Sequence, residues 1–187
     1  MSVMRVAMRW MLACAAASIS NYPWACLSAT GFIDITQGGA QNSTEHYAVI
    51  FFARESPEST TPPYVYGLPG HAFVAWEHIV PGKQPDISAF GVYPVQGVPA
   101  FGPVPGSLLD EVQKARAAGA PPPPPTDTLM VMMDQSLYDQ SMATKNKYPQ
   151  NPTFQLAAQD CVSFTDTIAK SLGLVTPDRS SALLTRR

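Results

Sequence analysis

Residues Gln159 to Gly173 constrain the fold most, because the sequence marks both ends of this stretch. Asp160 suits an N-cap, since its carboxylate can accept the unpaired N–H groups of a first helical turn. Gly173 suits the position just past a helix end, where a left-handed residue closes the last turn, and Pro177 then forbids resumption. Between them Cys161, Phe164, Ile168 and Leu172 recur on one face at helical spacing. The pattern predicts a helix that opens on Cys161 and turns that residue toward a core. The partial positive charge of a helix N-terminus favours a thiolate by about 0.3–1 kcal/mol, whereas the neighbouring charge of Asp160 favours the thiol. A nucleophilic Cys161 therefore needs a further activating group, of which histidine is the usual source. An activated thiol would have a pKa below roughly 8.5.

The rest of the chain must bury that helical stripe. His46 to Arg54, His71 to His78 and Ile87 to Tyr93 read as strands, and Ile79 to Lys83 makes the second and third of these an antiparallel hairpin. Phe32 to Ile35 is a short apolar segment in a polar surround. Residues 94–106 read as a Pro/Gly-rich loop, and Ser107 to Ala118 as a helix with Ser107 and Asp110 at capping-box spacing and Gly119 as its stop. Pro121 to Pro125 is a stiff polyproline segment, with a rise of about 3.1 Å per residue. Leu129 to Met133 is a strand candidate, and Asp134 caps a helix reaching about Lys147. Strands followed by helices in this order predict an α+β fold, an antiparallel sheet packed against helices, in a single domain over 30–187.

The first 29 residues read as an export signal: Arg5 and Arg9, a short apolar run from Trp10 to Ile19, then small residues up to Ala29. The run is shorter than the about 20 residues of a membrane span, so no integral span is expected. The protein is then secreted or periplasmic, with a lipoprotein anchored at Cys14 as the alternative. Cleavage after Ala29 removes Cys14, Cys26 and both arginines, taking the net charge from −2 to −4 and leaving Cys161 as the lone cysteine. In an oxidising compartment such a thiol is either buried packing or a working nucleophile. Charged residues make up 14% of the chain, against roughly 25% in a typical soluble domain, and no basic stripe is present. Nucleic acid is not expected as a partner. His46, His71, His78 and Cys161 lack metal-site spacing, and no cofactor is expected.

Three histidines compete for the role of base. His46 opens a strand beside Glu45, and His78 points to the face opposite His71. His71 follows Gly70, which permits close approach, and sits at the rim of an apolar strand. In the predicted hairpin Tyr93 lies near His71 on the paired strand and is the preferred residue to orient the imidazole. Ser88 and Asp86 remain open for that role. Glu77 shares the His71 face but lies roughly 20 Å along the strand, too far for a direct bond.

Gly70 to Val74, Gly91 to Pro94, Gln159 to Phe164 and Leu172 to Leu174 together resemble the circularly permuted papain-like (NlpC-type) superfamily, in which the histidine strand precedes the cysteine helix. Relatives often carry Asn-Cys where this chain has Asp160 and Cys161. The resemblance implies Cys161 as nucleophile and His71 as general base of an exported hydrolase that cleaves an amide or peptide bond through an acyl-enzyme. Its partner would be a peptide or acyl substrate, cell-wall peptide being natural to that compartment. A non-catalytic binding module on the same scaffold, and an acyltransferase or thioesterase, are the alternatives.

Overall fold

The computed structural model describes residues 29–37, 45–54, 70–95, 102–119 and 125–178. The expected signal segment, the anchor position Cys14, residues 96–101 of the Pro/Gly-rich stretch and residues 121–124 of the polyproline segment lie outside these. The elements run β1 (Gly31–Asp34), β2 (His46–Arg54), β3 (His71–Ile79), β4 (Asp86–Pro94), β5 (Val104–Asp110), α1 (Glu111–Ala118), β6 (Asp127–Met133), α2 (Gln135–Lys147), β7 (Thr153–Phe154) and α3 (Cys161–Ser171). The strands form one sheet in the order β1-β6-β2-β3-β4-β5-β7. The architecture is α+β, as the element order predicts, but the sheet is mixed rather than wholly antiparallel. Strand β1 joins β6 in parallel, while the other ladders are antiparallel.

Strand alternation sorts the core into two faces. On the first, Val49, Phe51, Val74, Trp76, Val92 and Val131 meet Phe164, Ile168 and Leu172 of α3, with Leu137 and Met142 of α2 against them. On the second, Ala48, Ile50, Phe52, Phe73, Ala75 and Ala89 meet Val112 of α1. Strand β2 therefore buries Ala48 to Phe52 without a break, which explains its continuous apolar run. Trp76 is fully buried, and its indole N–H donates to Ser141 Oγ at 2.8 Å, pinning α2 to the sheet.

Helix α3 has the ends the sequence marks. Asp160 Oδ1 accepts from Val162 N (3.0 Å) and Ser163 N (3.1 Å), and Ser163 Oγ accepts from Asp160 N, closing a capping box. At the other end Gly173 has φ 73°, Gly173 N donates to Lys170 O and Leu174 N to Ala169 O, a Schellman closure.

The stretch before α1 differs from expectation. Ser107 to Asp110 are strand, not helix, and Val104 to Gly106 belong to the same strand rather than to a loop. They pair with β4 from Phe90↔Asp110 to Pro94↔Gly106. The N-cap is Asp110, whose Oδ1 accepts from Val112 N and Gln113 N. The spacing of Ser107 and Asp110 imitates a capping box, but pairing with β4 buries Leu108 in the core and decides the conformation.

Glu77 lies on the second face and is 2% exposed, and its Oε2 finds no hydrogen-bond partner among the described residues. Burial pushes its carboxyl up from an ordinary 4.5 to about 7. The folded protein then keeps a proton that the unfolded chain releases, so stability should fall as pH rises from about 4.5 to about 7 and stay lower above. Glu77→Gln should abolish that slope and be more stable than wild type at pH 8 by up to about 3 kcal/mol. Urea unfolding at pH 5 and pH 8 checks this; parallel pH dependence in the two proteins would refute it.

Candidate active site

The β3–β4 ladder ends at Val74↔Phe90. Beyond that pair β3 continues against β2, where His71 pairs with Arg54, and β4 continues against β5. His71, Gly91 and Tyr93 all project onto the second face, and the His71 ring stacks on Phe73 with centroids 5.8 Å apart. Gly91 makes the space. A Cβ there would stand 2.6 Å from Glu111 Oε1 and 2.7 Å from His71 Nε2, closer than real side chains allow.

Glu111, the first residue of α1, fills the hollow over Gly91. Its Oε1 lies 3.0 Å from His71 Nε2 and accepts the Tyr93 hydroxyl at 2.6 Å. The Tyr93 and His71 rings are 4.2 Å apart. Glu111 is 4% exposed. Burial would raise its carboxyl, but the hydrogen bond and charge of His71, the Tyr93 hydroxyl and the Lys114 charge outweigh it and hold the pKa below the ordinary value. For Tyr93, burial first and then the Glu111 charge push the phenol far up, so it serves as a donor. When the ring is neutral, a carboxylate at Nε2 draws the ring proton there and leaves Nδ1 as the acceptor.

Cys161 is the first residue of α3 and is 7% exposed. Helix α3 packs on the first sheet face, opposite the one His71 projects onto. Cys161 reaches the sheet at the start of β3, where the backbone of Ala72, the residue after His71, acts on the thiol. No hydrogen bond joins thiol and imidazole among the described residues. Burial is the largest influence on Cys161 and, with the Asp160 charge, pushes the thiol above its ordinary value against the pull of the Ala72, Val162 and Cys161 N–H groups. The direction is thus opposite to that expected for an activated nucleophile: the sulfur is buried and stands beside the Asp160 charge.

Of the residues singled out by sequence, the structure brings His71 and Tyr93 together and sets Cys161 against the strand beside them. Glu111 is the partner that sequence reasoning missed. Placing the cap at Asp110 rather than Ser107 would have put Glu111 at the start of a helix. His78 is remote, bonded through Nε2 to Glu45 Oε2 at 3.0 Å and stacked on Tyr47. Ser88 and Asp86 pair with Trp76 and His78 at the far part of the β3–β4 ladder, away from His71. Among the described residues no three His, Cys, Asp or Glu side chains are grouped to hold a metal, and no helix is long and apolar enough to cross a membrane. No protein-family model, curated protein or solved structure matches the chain.

The glycine at position 91 supplies a direct test of the cluster. Gly91→Ala should leave a folded protein, because the atoms it meets are side-chain ends that can move, at a cost of about 1–3 kcal/mol. It should separate His71 from Glu111. Nitrogen-detected NMR of the His71 ring reads this: the hydrogen-bonded Nε2–H signal of wild type should be lost, and an unchanged signal would show that the hollow is not needed.

Proposed function

We propose that the chain is an exported cysteine-nucleophile hydrolase on a permuted papain-like core, cleaving an amide or peptide bond, with cell-wall peptide as the substrate natural to that compartment. The observation that carries this reading is the occupation of His71 Nε2 by the buried Glu111, itself bonded by the Tyr93 hydroxyl. That arrangement frees Nδ1, the ring nitrogen nearer the backbone, and the backbone just beyond His71 is where Cys161 meets the strand.

In the proposed reaction His71 Nδ1 takes the thiol proton as Cys161 sulfur attacks the substrate carbonyl. Asp160 already uses the N–H groups of Val162 and Ser163, so the N–H of Cys161 is the donor this helix end offers to the oxyanion. The imidazolium returns its proton to the departing amine as the C–N bond breaks. Water, deprotonated by the same nitrogen, then cleaves the thioester and regenerates the thiol. Glu111 and Tyr93 position the base and stabilise its charged form without touching the substrate. Because the resting thiol is held on its neutral side, the proton transfer accompanies attack rather than preceding it.

The buried thiol also favours a second reading, a non-catalytic binding module in which Cys161 is packing. Labelling separates the two. A peptidyl chloromethyl ketone should modify Cys161 of the folded wild type faster than it modifies free cysteine at pH 7. His71→Ala should slow this by about 100-fold or more, while Glu111→Gln should have a smaller effect and also shift the His71 tautomer seen by NMR. A cooperatively melting wild type that reacts no faster than free cysteine, with no response to His71→Ala, would reject the hydrolase.

A further inference from the structure

Two cations stand close to the His71 cluster, and among the described residues neither forms a salt bridge. Arg54, the cross-strand neighbour of His71, lays its guanidinium over Phe73 with Cζ 5.3 Å from the ring centroid. The His71 ring stacks on that same Phe73. Arg54 Nε is buried and has no hydrogen-bond partner among the described residues. Lys114, one turn along α1 from Glu111, sets Nζ 3.3 Å from the centroid of Tyr93. The ion pairs among the described residues involve neither cation. Glu111, whose charge attracts Lys114, has its Oε1 committed to His71 and Tyr93.

Like charges gathered at a partly dry site repel unless an anion joins them. Burial, the largest influence, holds the Lys114 ammonium below the ordinary lysine value; the Glu111 charge pulls it up and, more weakly, the Arg54 charge pushes it down. Arg54 also acts on the Tyr93 phenol, which places it within electrostatic reach of the whole cluster. Aromatic rings carry both cations without neutralising them. The guanidinium keeps its planar fork of donors, a shape that matches a carboxylate.

We propose that Arg54 and Lys114 form a subsite beside His71 for a carboxylate of the substrate, so that the bond cleaved lies near an acidic residue or a free carboxyl group. This rests on the hydrolase reading for the word substrate, but the subsite itself requires only the two cations. It would select acidic peptides over neutral ones of the same shape, with the Arg54 fork fixing the carboxylate and Lys114 adding a point charge.

The test compares isosteric probes. Acetyl-glutamyl chloromethyl ketone should label Cys161 faster than acetyl-glutaminyl chloromethyl ketone, by about tenfold or more, as expected for a charge-assisted pair. The ratio should fall toward one in the double variant R54Q/K114Q, fall partway in R54K, which keeps the charge but loses the fork, and survive in K114R. Equal labelling of wild type by the two probes, or a ratio that persists in R54Q/K114Q, would overturn the proposal. Calorimetric binding of N-acetylglutamate against N-acetylglutamine needs no reaction at Cys161, so it judges the subsite even if neither ketone labels. Wild type should prefer N-acetylglutamate and the double variant should not. Equal binding would overturn the subsite, and stronger binding of N-acetylphosphoserine would overturn its assignment to a carboxylate.

Discussion

The buried carboxylate of Glu111 is the group around which the site is arranged. Removing an ionised carboxylate from water costs several kcal/mol even after relaxation, and the folded chain offsets that with specific partners. His71 Nε2 and the Tyr93 hydroxyl converge on a single oxygen, the helix α1 begins at this residue, and Lys114 stands one turn away. Each offset imposes a demand elsewhere. The histidine must sit over a position without a side chain, hence Gly91; the tyrosine must follow two residues later on the same strand face; and the helix must start where β5 ends. A single capping residue, Asp110, meets the last demand while still pairing with Phe90 in the sheet.

The sheet supplies the second constraint. Strands β2 and β3 are covered on both faces, so the chain must send helices to each, and it sends α3 to one and α1 to the other. Groups on opposite faces meet only where a ladder ends. The last β3–β4 pair is Val74↔Phe90, three residues short of His71, and Cys161 comes against the strand at Ala72. The chemistry-bearing groups therefore collect at the margin of the core rather than in its middle. Trp76 and its bond to Ser141 hold α2 further along the same strand.

What could be read from the sequence was whatever local chemistry decides. Asp160 and Gly173 fix the ends of α3 by hydrogen bonds within a few residues, and β2 and β3 announce themselves by apolar runs too dense for anything but buried strand. Asp134 marks the start of α2 by position, although in the structure its Oδ2 accepts from Gln37 N instead of capping the helix. What could not be read depends on a partner distant in sequence. Ser107 to Asp110 are strand only because β4 lies alongside, and Phe32 with its neighbours is strand only because β6 offers a parallel edge. Glu111 was hidden by the first of these. Its importance comes from a hollow at Gly91 and a hydroxyl at Tyr93, neither visible in its own neighbourhood.

The helix N-terminus at Cys161 illustrates how one device can serve stability against reactivity. Asp160 takes up N–H groups at this helix end, using Oδ1 for Val162 and Ser163 and Oδ2 for Ala157 of the preceding turn, and leaves the Cys161 N–H free of the cap. Ala157 accepts a left-handed φ of 63° to make that last bond, an uncommon conformation for a residue with a side chain. The cap thus stabilises the end of α3 and at the same time places a negative charge next to the thiol, which adds to the larger effect of burial. A thiol kept neutral is a poor nucleophile at rest and also a poor target for oxidation, since both reactions use the thiolate. In the exported setting proposed for this chain, where no second cysteine would protect it, that coupling has a use. Reactivity would then depend on the imidazole that Glu111 and Tyr93 hold in place, and on a substrate whose carboxylate brings Arg54 and Lys114 into charge balance beside it.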